Sequence, residues 1–185
     1  MIYVIDHEDS FTYNLVHLLE GFAPTYVSNY YDINWGKLEK SKIIIFSPGP
    51  GNPSHYPETQ KVYKKYKGKK KIIGICLGFQ QILYAENANI VPQKKIYHGY
   101  QSKIKVLKES SLFKLNKVFL VGRYHSLKLK EPFNSSALKI TMRCVESNVA
   151  MAIEDTINNV YGFQFHPDSF LTVDGKFLIQ KVLQF

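Results

Sequence analysis

Apolar residues in the first half of the chain fall into two alternating patterns. The runs Ile2-Tyr3-Val4-Ile5, Ile43-Ile44-Ile45-Phe46 and Ile72-Ile73-Gly74-Ile75 carry almost no polar position, as expected of strands buried on both faces. Between them lie segments with helical spacing. Residues 12–20 place Leu15, Leu18 and Leu19 on one stripe, with Asp9 and Ser10 as candidate caps and Gly21 as a stop. Residues 57–66 and 77–86 are the next helix candidates, and 25–31 reads as a further strand. Strands alternating with helices at this spacing pair in parallel through right-handed crossovers, which predicts an α/β fold with an open, largely parallel sheet flanked by helices. The second half is richer in strand patterns, at 96–107, 118–121, 138–145, 149–153 and 160–165, and predicts extra antiparallel strands before a last helix at 176–183. No repeat or low-complexity linker interrupts the 185 residues, so one domain spanning 1–185 is expected.

Composition narrows the class. An apolar share of 45% with 21% charged residues is that of a globular chain rather than a disordered one. No apolar run approaches the length of a membrane-spanning helix, the N-terminus acquires acids too early for a secretory signal, and two cysteines are too few for a disulfide scaffold. A reduced, cytoplasmic protein with no membrane association is expected. The net charge of +9 raises nucleic-acid binding, but arginine, the usual reader of phosphates and bases, occurs only at Arg123 and Arg143. The lysines accompany 13 Tyr and many Ile and Asn residues, all with AT-rich codons, so compositional drift accounts for the charge and no nucleic-acid partner is expected. The run from Lys64 to Lys71 reads as a solvated connection between a helix and a strand.

Three chemically loaded segments follow predicted strands: Ser47-Pro48-Gly49-Pro50-Gly51, Cys76 with its neighbours, and His166-Pro167-Asp168. In an open parallel sheet, ligands bind beyond the carboxyl ends of the strands, so the fold would bring these segments to one edge. Gly74-Ile75-Cys76-Leu77-Gly78 has the form of a nucleophile elbow, which exposes the sulfur and sets it at a helix N-terminus where the thiolate is favoured. The competing reading of Cys76 is a small buried core residue; Cys144, in a plain strand pattern, is read that way. His166 closes an apolar strand and Asp168 follows two residues later, so the pair could serve as base and orienter. His17 reads as a packing residue and His55 as a loop residue. No H-E-x-x-H or C-x-x-C spacing is present, so no metal site is expected.

Six blocks in order resemble the class I, triad-type glutamine amidotransferases, particularly the small subunits of anthranilate synthase and of aminodeoxychorismate synthase. They are Asp9–Leu15, Ser47–Pro53, Gly74–Gln80, His98-Gly99, Arg123–Leu127 and Gly162–Ser169. The resemblance implies a flavodoxin-like amidotransferase fold and a glutaminase with no cofactor. In it, Cys76 would attack the side-chain amide of L-glutamine, His166 would move the protons, and Asp168 would orient the imidazole. It also implies an oxyanion hole formed by the N–H groups of Gly51 and Leu77, since Pro50 has no N–H to offer. Glutamine would be bound by Gly49, Pro50, Gly51, Gln80, His125, Ser126 and Leu127. Ammonia would pass to a chorismate-binding large subunit, in a heterodimer or heterotetramer, for para-aminobenzoate and folate or for tryptophan synthesis. Three positions depart from the family pattern: Phe79 and Asp168 stand where His and Glu are usual, and Tyr100 where Lys is usual. Asp168 would fall short by one C–C bond, ~1.5 Å. The alternative reading is a catalytically weak or inactive interaction subunit, which Asp168 and Phe79 would favour.

Overall fold

A computed structural model describes residues 1–184 of the chain. In chain order the elements are β1 (Ile2–Asp6), α1 (Thr12–Glu20), β2 (Thr25–Asn29), α2 (Trp35–Lys40), β3 (Ile43–Phe46), α3 (Pro57–Tyr66), β4 (Lys71–Ile75) and α4 (Leu77–Ala85). They continue with β5 (Ile90–Pro92), β6 (Tyr100–Val106), β7 (Val118–Arg123), β8 (Leu127–Leu129), β9 (Lys139–Cys144), β10 (Ala150–Asp155), β11 (Val160–Phe163) and α5 (Gly175–Leu183). A nine-stranded sheet has the order β2-β1-β3-β4-β11-β10-β9-β6-β7, and β5 pairs with β8 apart from it. The five strands from β2 to β11 run parallel, and every pairing from β11 onward to β7 is antiparallel.

The apolar runs are buried on both faces because side chains alternate across the sheet. Ile2, Val4, Ile43, Ile45, Ile73 and Ile75 pack towards Leu15 and Leu19 of α1 and Leu178 and Val182 of α5. Tyr3, Ile5, Ile44, Phe46 and Ile72 pack towards Val62 and Tyr63 of α3 and Phe79 and Ile82 of α4. The antiparallel half closes on itself. The His166 N–H donates to the Gly122 carbonyl at 3.0 Å, bridging the end of β7 to the segment after β11.

The structure corrects several local expectations. Strand β2 ends at Asn29 rather than 31, and β6 starts at Tyr100 rather than 96. Asp9 and Ser10 do not cap α1; Phe11 occupies the cap position, and the Asp9 carboxylate accepts from the Phe11 N–H at 2.8 Å, one turn too early. His17 faces solvent instead of the core. The six-residue α2 escaped the periodicity because it buries only Leu38; its signal was Asn34, whose side chain accepts from the Lys37 N–H at 3.0 Å. The lysine run is only partly solvated. Lys67 pairs with Glu86 at 2.5 Å, Lys70 donates to the carbonyls of Glu39 and Ser41, and Lys71 donates to those of Val182 and Gln184, tying α2 and α5 to the start of β4.

Candidate active site

The strand order makes β3, β4 and β11 consecutive neighbours, so Ser47–Gly51, Cys76 and His166 emerge from adjacent strand ends. Cys76 sits between β4 and α4 with φ 53° and ψ −101°, a conformation L side chains rarely adopt outside strained functional turns. The flanking glycines make this turn sterically feasible. A Cβ on Gly74 would overlap the backbone of Gly78, and one on Gly78 would overlap the Phe46 carbonyl, so α4 lies directly against β3 and β4. The Cys76 N–H is held by the Phe163 carbonyl at 2.8 Å. The Gln164 amide donates to the Cys76 sulfur at 3.8 Å and is itself oriented by Gln80, whose Nε2 donates to Gln164 Oε1 at 3.0 Å.

His166 is buried beside this turn. Its ring is wedged between Phe11 and Tyr124, each with centroids 5.0 Å away. Its carbonyl accepts from the Thr172 hydroxyl at 2.5 Å, and that hydroxyl accepts in turn from the Gly122 N–H at 2.9 Å. Burial disfavours a charged ring, but Cys76 and Asp168 outweigh it and raise the His166 pKa to about 10. This favours the imidazolium form of His166. Asp168 stands 3.7 Å from His166 Nδ1, an ion-pair distance but too long for a hydrogen bond. His166 Nδ1 and both Asp168 carboxylate oxygens are buried without a hydrogen-bond partner among the described residues.

A cavity of about 210 Å³ opens onto Cys76. Its walls are Asp9, Gly49, Pro50, Gly51, Leu77, Gln80 and the segment from Tyr124 to Leu127. All seven residues expected to hold glutamine therefore line one space. Gly49 can only be glycine there, because a Cβ would fall 2.5 Å from both His7 Cβ and Leu77 Cδ2. Gly51 has φ +74°, a left-handed conformation natural for glycine. The loop is braced from below: the Tyr56 hydroxyl donates to the Pro50 carbonyl at 2.7 Å and its ring meets His7 edge-on. The fully buried His7 bridges Ser47 and Thr59, and burial lowers its pKa to about 3. Neither the Gly51 nor the Leu77 N–H donates to a protein acceptor among the described residues.

Several residues around the site carry little signal in the sequence. Phe11 belongs to the opening block without a role of its own, and Asp9 there reads only as a helix cap; Gln164 lies two residues before His166, just beyond the end of β11; His7 gives no signal, because its partners are 40 and 52 positions away. Phe79 lies in the core against β11, where a Cβ on Gly162 would come within 3.1 Å of it, and does not line the cavity. Cys144 is buried in β9. Among the described residues no group of His, Cys, Asp and Glu is arranged to hold a metal ion, and no helix is long and apolar enough to cross a membrane.

A strained cysteine elbow beside a histidine at the carboxyl edge of the parallel strands is an arrangement suited to thiol chemistry in an α/β fold. The family model "glutamine amidotransferase class-I" matches residues 3–184, and the chain belongs to that family. It is similar to anthranilate synthase component 2 of Lactococcus lactis, with 36% identity over 97% of this chain and 92% of the relative. Anthranilate synthase component 2 of Helicobacter pylori is 34% identical over 100% of this chain and 96% of its own. Among solved structures, a GMP synthase component from Thermoplasma acidophilum superposes with a TM-score of 0.84 at 20% identity. That match covers 98% of this chain and 90% of the other, and the likeness is one of fold.

Proposed function

We propose that the chain is the glutaminase component of a two-component, chorismate-using synthase, releasing ammonia from L-glutamine for a large partner subunit. The observation that carries this reading is the single cavity onto which Cys76, the Gly49–Gly51 loop and the Gln80, His125, Ser126 and Leu127 wall all open. In the proposed reaction the Cys76 thiolate attacks the side-chain amide carbon, forming a C–S bond. The developing oxyanion is held by the Gly51 and Leu77 N–H groups. As the C–N bond breaks, the imidazolium of His166 gives its proton to the leaving ammonia. His166 then takes a proton from water, which attacks the thioester; the C–S bond breaks and glutamate leaves. Asp168 supports the imidazolium electrostatically. The full-length likeness to chains named anthranilate synthase component 2 supports anthranilate over aminodeoxychorismate synthesis as the acceptor reaction. The alternative of a non-catalytic subunit draws on the long His166–Asp168 distance alone, against an otherwise complete set of groups.

The test is Cys76→Ser in complex with the large subunit. Glutamine-dependent synthesis should be abolished while synthesis from added ammonia persists, and a glutamine-analogue electrophile should label wild-type Cys76 alone. Glutaminase activity in the variant within about tenfold of wild type would remove Cys76 as nucleophile, since a tenfold loss is only ~1.4 kcal/mol.

A further inference from the structure

Arg123 ends β7 with no exposed surface, yet no carboxylate pairs with it among the described residues. Its guanidinium carbon lies 3.4 Å from the centroid of the Tyr97 ring, Nη1 donates to Cys144 Sγ at 3.4 Å, and Nη2 has no hydrogen-bond partner. A desolvated cation is costly unless it is paired, and an aromatic face and a thiol are weak compensation. Glu146 attracts it only from beyond ion-pair distance, and burial still outweighs these groups, so the fold keeps an incompletely compensated positive charge behind the cavity wall.

The connection to the cavity runs through His125. Arg123 Nε–H donates to His125 Nε2 at 3.0 Å. A guanidinium has only donors, so Nε2 must be the acceptor and the ring is neutral with its hydrogen on Nδ1. Burial first, and the Arg123 charge second, hold its pKa down to about 3. Nδ1 lies 2.8 Å from the Leu127 carbonyl and donates to it, while Gln80 Nε2 reaches the same oxygen at 3.5 Å. The Ser126–Leu127 wall is thereby fixed from behind. Of the side chains lining the cavity, Asp9 is the one acid and no Lys or Arg is among them. An amino-acid substrate brings an α-carboxylate as well as an α-ammonium group. Beyond the His166 imidazolium, which is engaged with Cys76 and Asp168, the cation that its carboxylate can find is Arg123, one imidazole away.

We infer that Arg123 is a specificity-determining positioning residue: its buried charge selects substrates with a free α-carboxylate, and through His125 it holds the wall against which that group docks. The inference rests on the glutaminase reading of the Cys76 cavity. A matched pair of electrophiles tests it on the full chain: a diazoketone analogue of glutamine with a free α-carboxylate, and the same compound with that carboxylate capped as the amide. Each rate of Cys76 labelling is divided by the same protein's rate with iodoacetamide, which cancels changes in thiol reactivity. Wild type should prefer the free acid by about tenfold or more, Arg123→Met should lose that preference, and Arg123→Lys should keep most of it. A purely structural role would slow both analogues alike and leave the preference intact, and that result would overturn the inference. So would a wild-type protein with no preference, a measurement that does not depend on any variant folding. If iodoacetamide labels Cys76 and neither analogue does, the glutaminase reading itself falls.

Discussion

At Asp168 a single methylene reaches the chemistry. The carboxylate is buried beside His166 but 3.7 Å from Nδ1, and both partners lack the hydrogen bond that would normally join them. Ring position instead depends on the Phe11 and Tyr124 edges and on the Thr172 clamp of the His166 carbonyl. Glutamate at this position adds ~1.5 Å of reach, enough to close the gap. Asp168→Glu should therefore match or exceed wild-type glutaminase activity. Asp168→Asn removes the charge that stabilises the imidazolium and should lose at least about tenfold, or ~1.4 kcal/mol of transition-state stabilisation. Glutaminase kinetics of both variants with saturating partner decide this; equal, near-wild-type rates would show that Asp168 orients nothing.

At the level of elements, the site is set by how closely helices approach strand ends. Gly78 lets α4 rest on β3, and Gly175 lets α5 start directly against Pro167, since a Cβ there would overlap the Pro167 carbonyl. Both contacts are backbone against backbone, so neither neighbour can swing aside as a side chain would. Gly78→Ala should lift α4, destabilise the fold by ~1–3 kcal/mol and slow alkylation of Cys76. Gly36 in α2 is the control: its added Cβ would meet the Asn34 side chain at an ordinary 3.6 Å. Gly36→Ala should raise stability by ~0.5–1 kcal/mol through helix propensity and leave Cys76 alkylation unchanged. Urea denaturation measures both, and destabilisation by Gly36→Ala with none by Gly78→Ala would contradict this account of packing.

For the whole molecule, buried histidines set the response to acid. His7 and His125 are held neutral, each with a pKa of about 3 against an unfolded value of 6.5. Between pH 6.5 and 3 the unfolded chain binds two more protons at these positions than the folded one, so stability falls as pH drops through that window. The slope approaches ~1.4 kcal/mol per pH unit for each histidine. His166 adds nothing there, because its raised pKa keeps it protonated in both states below 6.5; its contribution is lost only as pH rises from 6.5 through about 10. Unfolding free energies measured from pH 7 to pH 4.5 should fall steeply, and His7→Gln should reduce the slope by about one proton. An unchanged slope in that variant would show that His7 is not held neutral.

Much of this was legible from sequence because it depends on neighbours along the chain. A short, β-branched apolar run fits a doubly buried strand and an apolar stripe at helical spacing fits a helix packed on one face, and Ile43–Phe46, Thr12–Glu20 and Pro57–Tyr66 have the bounds their patterns imply. The glycines around Cys76 mark a turn whose sterics are local. What only the tertiary structure decided depends on distant partners. The closure that brings the end of β7 to His166 joins residues 44 positions apart. Of the partners of Arg123 only His125 is a neighbour along the chain; Tyr97 and Cys144 come from remote segments, and they are what bury the cation without a carboxylate. The bracing by His7 and the carbonyl contacts of Lys70 and Lys71 follow the same rule. Hydrophobic period determines where backbone goes; where a polar side chain finds its partner is settled only once the sheet has brought remote segments together.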